Sequence, residues 1–468
     1  MIAAALAMAA PFAVASSGHP AVDACLSPAL AGAVANVRSQ GSASPSAYAV
    51  TRELVLGFGA RPAGSESERA AAIWAASKLR SLKLDRVETQ AFAFDGWERG
   101  SAALEWQGEV PVALRVAALG GSTATPPEGL RGQLVRFSSL TELDAAPVDA
   151  VAGRIVFLDV RMRRARDRSG YQEAVVVRRD GATHVARKRG IGLVIRSIGT
   201  DDERAPHAGW SRGAADVARI PAVAASNADA DFLAEALAGR VSANVLLRSS
   251  ARTSPGLVSR NVIGQIDARA STRETVLLGA HLDSWDLGTG AEDDGAGVGV
   301  VVSAMERLLP YRGLFRRNVR VVLFGAEELG GLGAEDYAKR SAAMAHHVVA
   351  AESDLGSGRP WRLQMPDPAR PRAVDRTLAD ALAPFDLAAS SGRAFGGTDV
   401  EPLSAEGTAF YDIDPDATNY FDVHHSERDT LGRVSRPGLE AQSAAFATLA
   451  LIMASAPDDC LQPAAAHR

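Results

Sequence analysis

Residues 275–295 have the sequence TVLLGAHLDSWDLGTGAEDDG, in which an apolar run is followed directly by His281 and Asp283. A glycine-containing loop then leads to Asp293 and Asp294. Residues 296–309 are predicted to form a helix that ends at Pro310. A continuous apolar strand followed by a loop and a helix is typical of a buried strand in an α/β protein. The polar residues lie where that strand ends, which is where such proteins place their functional groups.

The same pattern recurs twice further along the chain. A predicted strand over 319–324 is followed by Glu327 and Glu328, and a predicted strand over 348–353 is followed by Asp354. A helix over 331–343 is predicted between these two strands. Alternating apolar strands and helices indicate an α/β fold with a mostly parallel or mixed sheet sandwiched by helices. We therefore expect these carboxylates to meet at one edge of the sheet.

The region 106–251 has a different pattern of apolar and polar residues and is predicted to be a β-rich insert. Its short apolar runs at 154–160, 191–198 and 241–247 are separated by loops rich in Pro, Gly and charge. The segment 161–190 is rich in Lys and Arg and is predicted to be a solvated basic loop. The catalytic domain is then expected over 25–105 and 252–468. A net charge of −5 over 468 residues gives no support to nucleic-acid binding.

The first 15 residues contain no charged side chain and end in Ala13-Val14-Ala15. This pattern favours a secretory signal peptide over residues 1–15, cleaved somewhere within 15–24; a buried helix is the alternative. We therefore expect an exported protein, periplasmic or extracellular, without a membrane span. The two cysteines, Cys25 and Cys460, lie near opposite ends of the chain. They are candidates for a disulfide, and two separate thiols are the alternative.

The strand-end residues and a late histidine pair suggest the chemistry. Several carboxylates gathered in one place repel one another unless cations neutralise them. Imidazole and carboxylate are ordinary zinc ligands, and two metals can share one carboxylate. The residues therefore predict a dinuclear metal site with two Zn²⁺ per chain. The candidates are His281, Asp283, Asp293, Asp294, Glu327, Glu328, Asp354, His425 and Asp429.

Taken in order, these motifs resemble the co-catalytic zinc aminopeptidase family, and most closely its carboxypeptidase Q branch. Residues 279–286 (GAHLDSWD), 97–100 (WERG) and 397–399 (GTD) are similar to that branch. The insert is similar to the protease-associated domain found in members of the family. The resemblance implies a zinc exopeptidase fold, a secreted or periplasmic enzyme, a dipeptide or short-peptide substrate and a homodimer. The insert would act either as a lid or in dimerisation.

The resemblance also implies a role for each motif residue. Asp293 would bridge the two metals, and the Asp293–Asp294 peptide would be cis. Glu327 would be the general base for the attacking water, with Asp283 orienting His281 and Asp429 orienting His425. Asp294 would support the ligands from behind. The metal ligands would be His281, Asp293, Glu328, Asp354 and His425.

The remaining histidines are weaker candidates for the functional site. His425 is favoured over His424 by its spacing to Asp429, and a surface or core role is expected for His346 and His347. His207 is a candidate for lining the cleft through the resemblance. Two other functions remain open: a non-catalytic scaffold of the transferrin-receptor type, and a single-zinc enzyme of the glutaminyl-cyclase type. The complete ligand set disfavours both, and no serine nucleophile elbow is expected.

Overall fold

A computed structural model of the chain describes residues 24–39, 46–239 and 243–462. The predicted signal peptide, 1–15, lies outside the described residues. Within them the chain forms ten α-helices, whose bounds follow in chain order. They are α1 (Pro28–Ser39), α2 (Ser46–Phe58), α3 (Glu66–Ser81), α4 (Leu140–Ala145), α5 (Ser169–Arg187), α6 (Asn227–Leu237), α7 (Ala296–Leu308), α8 (Leu332–Ser341), α9 (Ala373–Leu382) and α10 (Arg436–Ser455).

Seventeen strands in the same described ranges build three sheets of six, three and eight strands. In chain order they are β1 (Arg86–Glu98), β2 (Ala102–Trp106), β3 (Val112–Leu114), β4 (Val116–Ala118), β5 (Leu130–Phe137), β6 (Ile155–Leu158), β7 (Gly192–Arg196), β8 (Ala222–Ala225), β9 (Ala243–Ser249), β10 (Arg252–Ile266), β11 (Glu274–His281), β12 (Asn318–Phe324), β13 (His346–Glu352), β14 (Pro360–Met365), β15 (Ala388–Arg393), β16 (Ala409–Phe410) and β17 (Asp412–Pro415).

The six-stranded sheet has the order β1-β10-β12-β11-β13-β16. Strands β12, β11, β13 and β16 run parallel, whereas β1 and β10 are antiparallel to their neighbours. On β11, Val276 and Leu278 face a core that also contains residues of α2, α3, α7 and α10, while Leu277 faces a second core formed with α8. Both sheet faces are thus covered by helices, which confirms the predicted mixed sheet and explains its uninterrupted apolar strands.

Helix α10 is long and apolar enough to pass a length-and-composition test for a membrane span. The window that passes this test is 94% buried within the protein. The helix packs along α7 and α1, and its residues Phe446, Leu449 and Ile452 are buried in the main core. Because its surface is already covered by protein, α10 is the central helix of this core.

The eight-stranded sheet is built from residues of the predicted insert. It begins at Ala102 in β2 and ends at Ser249 in β9, against predicted bounds of 106 and 251. Helix α5 covers one face and helix α6 the other. The chain enters through β1 and returns through β10, which pair antiparallel over nearly their whole length. The insert is therefore carried on a two-stranded ribbon continuous with the catalytic sheet.

The predicted solvated basic loop over 161–190 is wrong. Most of this segment is helix α5, and Ala174, Val177 and Val185 are buried against the eight-stranded sheet. These apolar residues recur at helical spacing, a pattern that the many surrounding charges obscured. Several of the basic side chains pair with acidic ones, as Arg163 does with Glu173. The helix brings one arginine, Arg178, into the protein interior.

The ends of the chain are joined covalently. Cys25 precedes α1 and Cys460 follows α10, and the structure places the two sulfurs in a disulfide across a sequence separation of 435 residues. Both cysteines are buried in the main core. The bond therefore fastens the first and last helices of the catalytic part to each other.

Candidate metal centre

The ends of the parallel strands and the adjacent loops bring the predicted residues together. His281 is the last residue of β11, Glu327 and Glu328 follow β12, and Asp354 follows β13. Asp293 lies in the turn that precedes α7, and His425 lies in the segment between β17 and α10. The polar groups meet because parallel strands present their carboxyl ends at one edge of the sheet.

The imidazole of His281 is oriented by the backbone. Its Nδ1 lies 3.0 Å from the carbonyl oxygen of Asp283. A carbonyl oxygen only accepts, so Nδ1 carries a proton and Nε2 is the nitrogen that faces the cluster. Nε2 lies 3.1 Å from Asp293 Oδ1 and 3.6 Å from Asp354 Oδ1. With its proton held on Nδ1, His281 would bind a metal through Nε2.

Asp293 stands between two histidines. Its Oδ1 lies 3.1 Å from His281 Nε2, and its Oδ2 lies 3.1 Å from His425 Nε2. The neighbouring His424 reaches the same Oδ2 at 3.5 Å, with its ring stacked on that of His425 at 3.6 Å. The Asp293–Asp294 peptide bond is cis, as the resemblance implies. One carboxylate therefore offers one oxygen to each side of the cluster.

The other acidic residues complete the two sides. Glu328 Oε2 lies 3.0 Å from His425 Nε2. Asp354 lies on the His281 side. Ligand atoms lie within 4.8 Å of one another in each of three groups. These groups are His281–Asp293–Glu328, Asp293–His424–His425 and His281–Asp294–Asp354. Glu327 is in none of the three, although its backbone is adjacent to that of Glu328.

The buried charges explain why a cation would fit here. Burial raises the pKa of Glu328 to about 6 and raises those of Glu327 and Asp354. Burial also opposes ionisation of Asp293, but hydrogen bonds from His281 and His425 hold its pKa well below its usual range. Burial disfavours a charged His425, yet Glu328 and Asp293 raise its pKa to about 9. Without a metal, protons must balance the carboxylate charge.

Buried carboxylate oxygens without a hydrogen-bond donor give a second test of whether the cluster fits a metal. Glu328 Oε1 and Asp354 Oδ1 are buried without a hydrogen-bond donor among the described residues. Buried carboxylate oxygens without a donor are costly, so they indicate a partner that the protein chain does not itself supply. Together with the Asp293 carboxylate and two imidazole nitrogens, they form the kind of donor set that zinc prefers. The residues present therefore fit a metal.

Two carboxylates act on the backbone rather than on the rings. Asp283 was expected to orient His281 through Nδ1, and it contacts this nitrogen through its backbone carbonyl oxygen at 3.0 Å. Its carboxylate lies 3.7 Å from Nδ1 and accepts from the N–H groups of Glu327 and Glu328 at 3.0 and 3.3 Å. Asp429 was expected to orient His425, but it accepts from the N–H groups of 291–293. Buried backbone N–H groups need acceptors, and in these turns the two carboxylates supply them and so fix the backbone of the ligand loops.

Asp294 lies behind the ligands, as the resemblance implies. Its Oδ2 accepts from the backbone N–H of His281 at 3.1 Å, and its Oδ1 accepts from that of Gly297 at 2.9 Å. A side chain at Gly297 would collide with this carboxylate, since an added Cβ would come within 2.3 Å of Asp294 Oδ1. The glycine at the start of α7 is therefore what allows the two loops to approach.

A cleft of about 400 Å³ opens beside the cluster and is lined in part by Glu328. Its walls include Trp97 and Trp285, whose rings meet edge to face, with the guanidinium of Arg99 about 5 Å from each ring. Arg99 is fixed by a two-pronged ion pair with Asp286. The sequence 97–100 thus has a structural explanation, because it forms one wall of this cleft.

Sequence reasoning did not find the contribution of the insert. Arg178 lies 3.3 Å from His425 Nδ1, and Ala208 contacts the same ring through its carbonyl oxygen. His207 does not line the cleft: it is fully buried between Asp201 and the carbonyl oxygen of His424. This position beside the histidine pair could not be inferred from the sequence, because 217 residues separate His207 from His424. His347 is a core residue bonded to Tyr337 and Glu406, as expected.

The sequence does contain one Gly-x-Ser-x-Gly match, at 209–213, contrary to the expectation that none exists. A serine nucleophile elbow requires a strand before the serine and a helix after it. Here Ser211 is buried in an irregular segment, and its backbone N–H donates to the carbonyl oxygen of Gly120. The match is therefore not a nucleophile elbow.

A helix-covered mixed sheet with a histidine–carboxylate cluster at its strand ends defines a metal-dependent hydrolase. The model of peptidase family M28 matches residues 261–450, which contain the whole cluster. The crystal structure of a peptidase M28 precursor from Shewanella amazonensis is 36% identical, with a TM-score of 0.88 over 93% of this chain and 99% of that one. The chain belongs to peptidase family M28, and it is a metallopeptidase.

Two further relatives extend the comparison. Human carboxypeptidase Q is 27% identical over 428 residues, covering 91% of this chain and 89% of that protein. A zinc aminopeptidase from Bacillus subtilis has a TM-score of 0.62 at 20% identity, covering 89% of this chain and 98% of that one, and so shares the fold. The likeness to the carboxypeptidase Q sequences confirms the branch that the motifs indicated. Because the relatives include both an aminopeptidase and a carboxypeptidase by name, peptidase is the common description.

Proposed function

We propose that the chain is a dinuclear zinc exopeptidase that hydrolyses dipeptides or short peptides. The observation that carries the proposal is the position of Asp293, with one carboxylate oxygen 3.1 Å from His281 Nε2 and the other 3.1 Å from His425 Nε2. A carboxylate that faces two metal-competent imidazoles is the arrangement by which two ions share a ligand. His281 and Asp354 would hold one ion, and Glu328 and His425 the other.

Glu327 supplies the proton chemistry in this proposal. Two zinc ions, when bound, polarise the peptide carbonyl and make water a better nucleophile. Glu327 is adjacent to the ligands without being grouped with them, and its pKa is raised by burial and by Asp354 and Glu328. A base whose pKa lies closer to neutrality accepts a proton from the attacking water and returns it to the leaving amine. Asp283 holds the backbone of this base in place.

The cleft supports a small substrate. Its volume of about 400 Å³ lies at the low end of the range for small-molecule pockets, roughly 300–1,000 Å³. Its walls are mainly apolar groups and the two tryptophans, so one face of a dipeptide can pack there while the scissile bond lies at the cluster. The alternative of a non-catalytic scaffold has less support, because it gives no reason for the buried, unpartnered carboxylate oxygens.

Location and assembly belong to the same proposal. The disulfide between Cys25 and Cys460 supports an exported protein, since such bonds persist in oxidising compartments. The apolar segment 1–15 is the corresponding export signal. A catalytic domain over 25–105 and 252–468 with an insert over 106–251 is the proposed organisation. The homodimer implied by the resemblance stays a prediction.

The test is hydrolysis of one free dipeptide, its N-acetylated form and its C-amidated form, each with and without a chelator. Cleavage of the free dipeptide alone, lost on chelation, is the expected result. Cleavage of the amidated form as well would indicate an aminopeptidase, and cleavage of the acetylated form a carboxypeptidase. Full activity in the chelator, with no metal remaining on the protein, would contradict the proposed metal-dependent mechanism.

A further inference from the structure

We infer that the insert acts as a positioning element for the metal ligand His425, through Arg178, His207 and Ala208. This inference rests on the proposed metal site. It assigns to the insert a task other than covering the cleft or joining subunits. The three residues belong to the part of the chain that forms the eight-stranded sheet, whereas His425 and its partners Glu328 and Asp293 belong to the catalytic part.

The first step concerns the two nitrogens of the His425 ring. Nε2 faces Glu328 and Asp293, so this nitrogen is the one available to a metal. Nδ1 lies 3.3 Å from two groups of the insert: the carbonyl oxygen of Ala208, which only accepts, and Arg178 Nη1, which only donates. When Nε2 binds a metal, Nδ1 keeps the proton of the ring and donates it to the carbonyl oxygen. The same carbonyl oxygen also accepts from Arg178 Nη1 at 3.3 Å. The insert therefore holds the outer nitrogen of the ring, and with it the direction of the inner one.

The second step concerns the backbone that carries the ring. His425 has a φ of 61°, in the left-handed region that non-glycine residues seldom occupy. Two bonds from the insert hold this conformation. Ala208 N donates to the carbonyl oxygen of His425 at 2.9 Å, and His207 Nδ1 donates to that of His424 at 2.6 Å. The ligand segment is thus fixed from the insert side at both its side chain and its main chain.

The third step is that the insert residues are themselves rigidly placed. His207 is fully buried, with its Nε2 2.6 Å from Asp201 Oδ2 and its N–H donating to Ser197 Oγ at 2.8 Å. Arg178 is 6% exposed and donates through Nη2 to the hydroxyl of Tyr171. Tyr171 in turn meets the ring of His424 edge to face.

Two glycines make room for these side chains. A Cβ at Gly209 would lie 2.4 Å from Arg178 Cζ, and one at Gly199 would lie 2.5 Å from the His207 ring. Gly209 also has a φ of 133°, which a side chain would disfavour. The insert is therefore shaped around Arg178 and His207, as expected for groups with a positioning task.

The consequence is selective. A change at Arg178 disturbs the metal held by His425 and Glu328, and leaves the metal held by His281 and Asp354 unaffected. Loss of a group that orients a ligand typically weakens metal binding by about 10–100-fold. Because the effect is on binding, it is measurable without substrate.

The experiment uses the full chain, stripped of metal and titrated with Zn²⁺ by calorimetry and with Co²⁺ by visible absorption. The wild type is expected to bind two equivalents. Arg178→Met is expected to bind the first equivalent normally and the second about 10–100-fold more weakly, with a changed spectrum for the second cobalt. The matched control is Arg179→Met, since Arg179 is the next residue of α5 and pairs with Asp180 at the surface. It should match the wild type.

Tyr171→Phe keeps the inference testable should Arg178→Met fail to fold, because it removes only the hydroxyl that holds Arg178. This variant should bind the second metal equivalent several-fold more weakly than the wild type. His207→Leu should also bind it more weakly, whereas His184→Gln on α5 should bind it normally. If Tyr171→Phe and folded Arg178→Met both keep the second-metal affinity and the cobalt spectrum of the wild type, the inference is wrong. That outcome would leave the proposed dinuclear site intact. A wild type that binds fewer than two equivalents would instead overturn the proposed dinuclear site, and the inference with it.

Discussion

The carboxylate of Asp283 accepts a hydrogen bond of 3.0 Å from the backbone N–H of Glu327. The same group accepts from the next N–H of the chain, so both residues after β12 are held by one fully buried side chain. The left-handed φ of 54° at Ala326 shows how sharply the chain turns there. The proposed base Glu327 and the proposed ligand Glu328 are therefore positioned from the segment that directly follows β11, the strand that also supplies His281.

Asp283→Ala should lower kcat by about 10²-fold, because displacing a catalytic group by about 1 Å has an effect of this size. Asp283→Asn keeps one acceptor oxygen and should lose less activity. Steady-state kinetics on a dipeptide and metal analysis of each variant make the comparison. A kcat for Asp283→Ala equal to that of the wild type would show that the two hydrogen bonds do not position the base.

Glu327→Gln should abolish most hydrolysis while the metals stay bound. The amide cannot accept the proton of the attacking water, and loss of a general base lowers rates by about 10²–10⁴-fold. Glu328→Gln should behave differently, since Glu328 lies 3.0 Å from His425 Nε2 and is a proposed ligand. It should weaken metal binding as well as activity. Metal content measured beside kcat separates the two roles, and loss of metal from Glu327→Gln would contradict the assignment.

Sequence analysis was most informative for the functional residues that lie at the ends of parallel strands. His281, Glu328 and Asp354 were predicted because apolar strands end immediately before them, and parallel strands bring their carboxyl ends together. The structure places these groups in one cluster. The position of His425 depends instead on a long irregular segment. The late histidine pair was noted from the residues, but the ligand role of His425 came from the resemblance.

The parts that sequence reasoning missed depend on contacts between distant segments. Arg178 lies 247 residues from His425 along the chain, and nothing in its helix distinguishes it from the partly exposed Arg179 beside it. Asp283 was expected to bond to a ring because carboxylate–histidine pairs are common, but the turn after β12 presents two N–H groups that compete for the same oxygens. Such choices depend on which donors the folded chain leaves unsatisfied.

The disulfide should contribute to stability. Joining Cys25 to Cys460 removes conformational freedom from the unfolded chain, and disulfides typically stabilise by about 2–4 kcal/mol. Cys25→Ser with Cys460→Ser should therefore lower the urea midpoint of unfolding without changing kcat, because both cysteines lie in the main core. Thiol counting in denaturant without reductant should find no free thiol in the wild type. Two free thiols would exclude the bond.

Glu68 should make stability depend on pH. This residue of α3 is 1% exposed, and burial together with the nearby charge of Asp283 raises its pKa to about 8, against 4.5 for an ordinary glutamate. Its Oε2 accepts from the N–H of Gly64 at 2.6 Å, and its Oε1 accepts from the Ser259 hydroxyl. Because the folded state holds this proton more tightly than the unfolded state, the protonated carboxyl favours folding.

This stabilisation is fully present below about pH 4.5 and is lost as the pH rises through about 8. Glu68→Gln replaces the carboxyl with a group that does not ionise, so its stability relative to the wild type should rise between pH 5 and pH 8.5. Glu53→Gln on α2, which removes a more exposed carboxylate paired with Lys78, is the matched control and should show no such trend. Urea unfolding across this pH range measures the difference. A constant difference between Glu68→Gln and the wild type would show that Glu68 does not hold a proton in the folded protein.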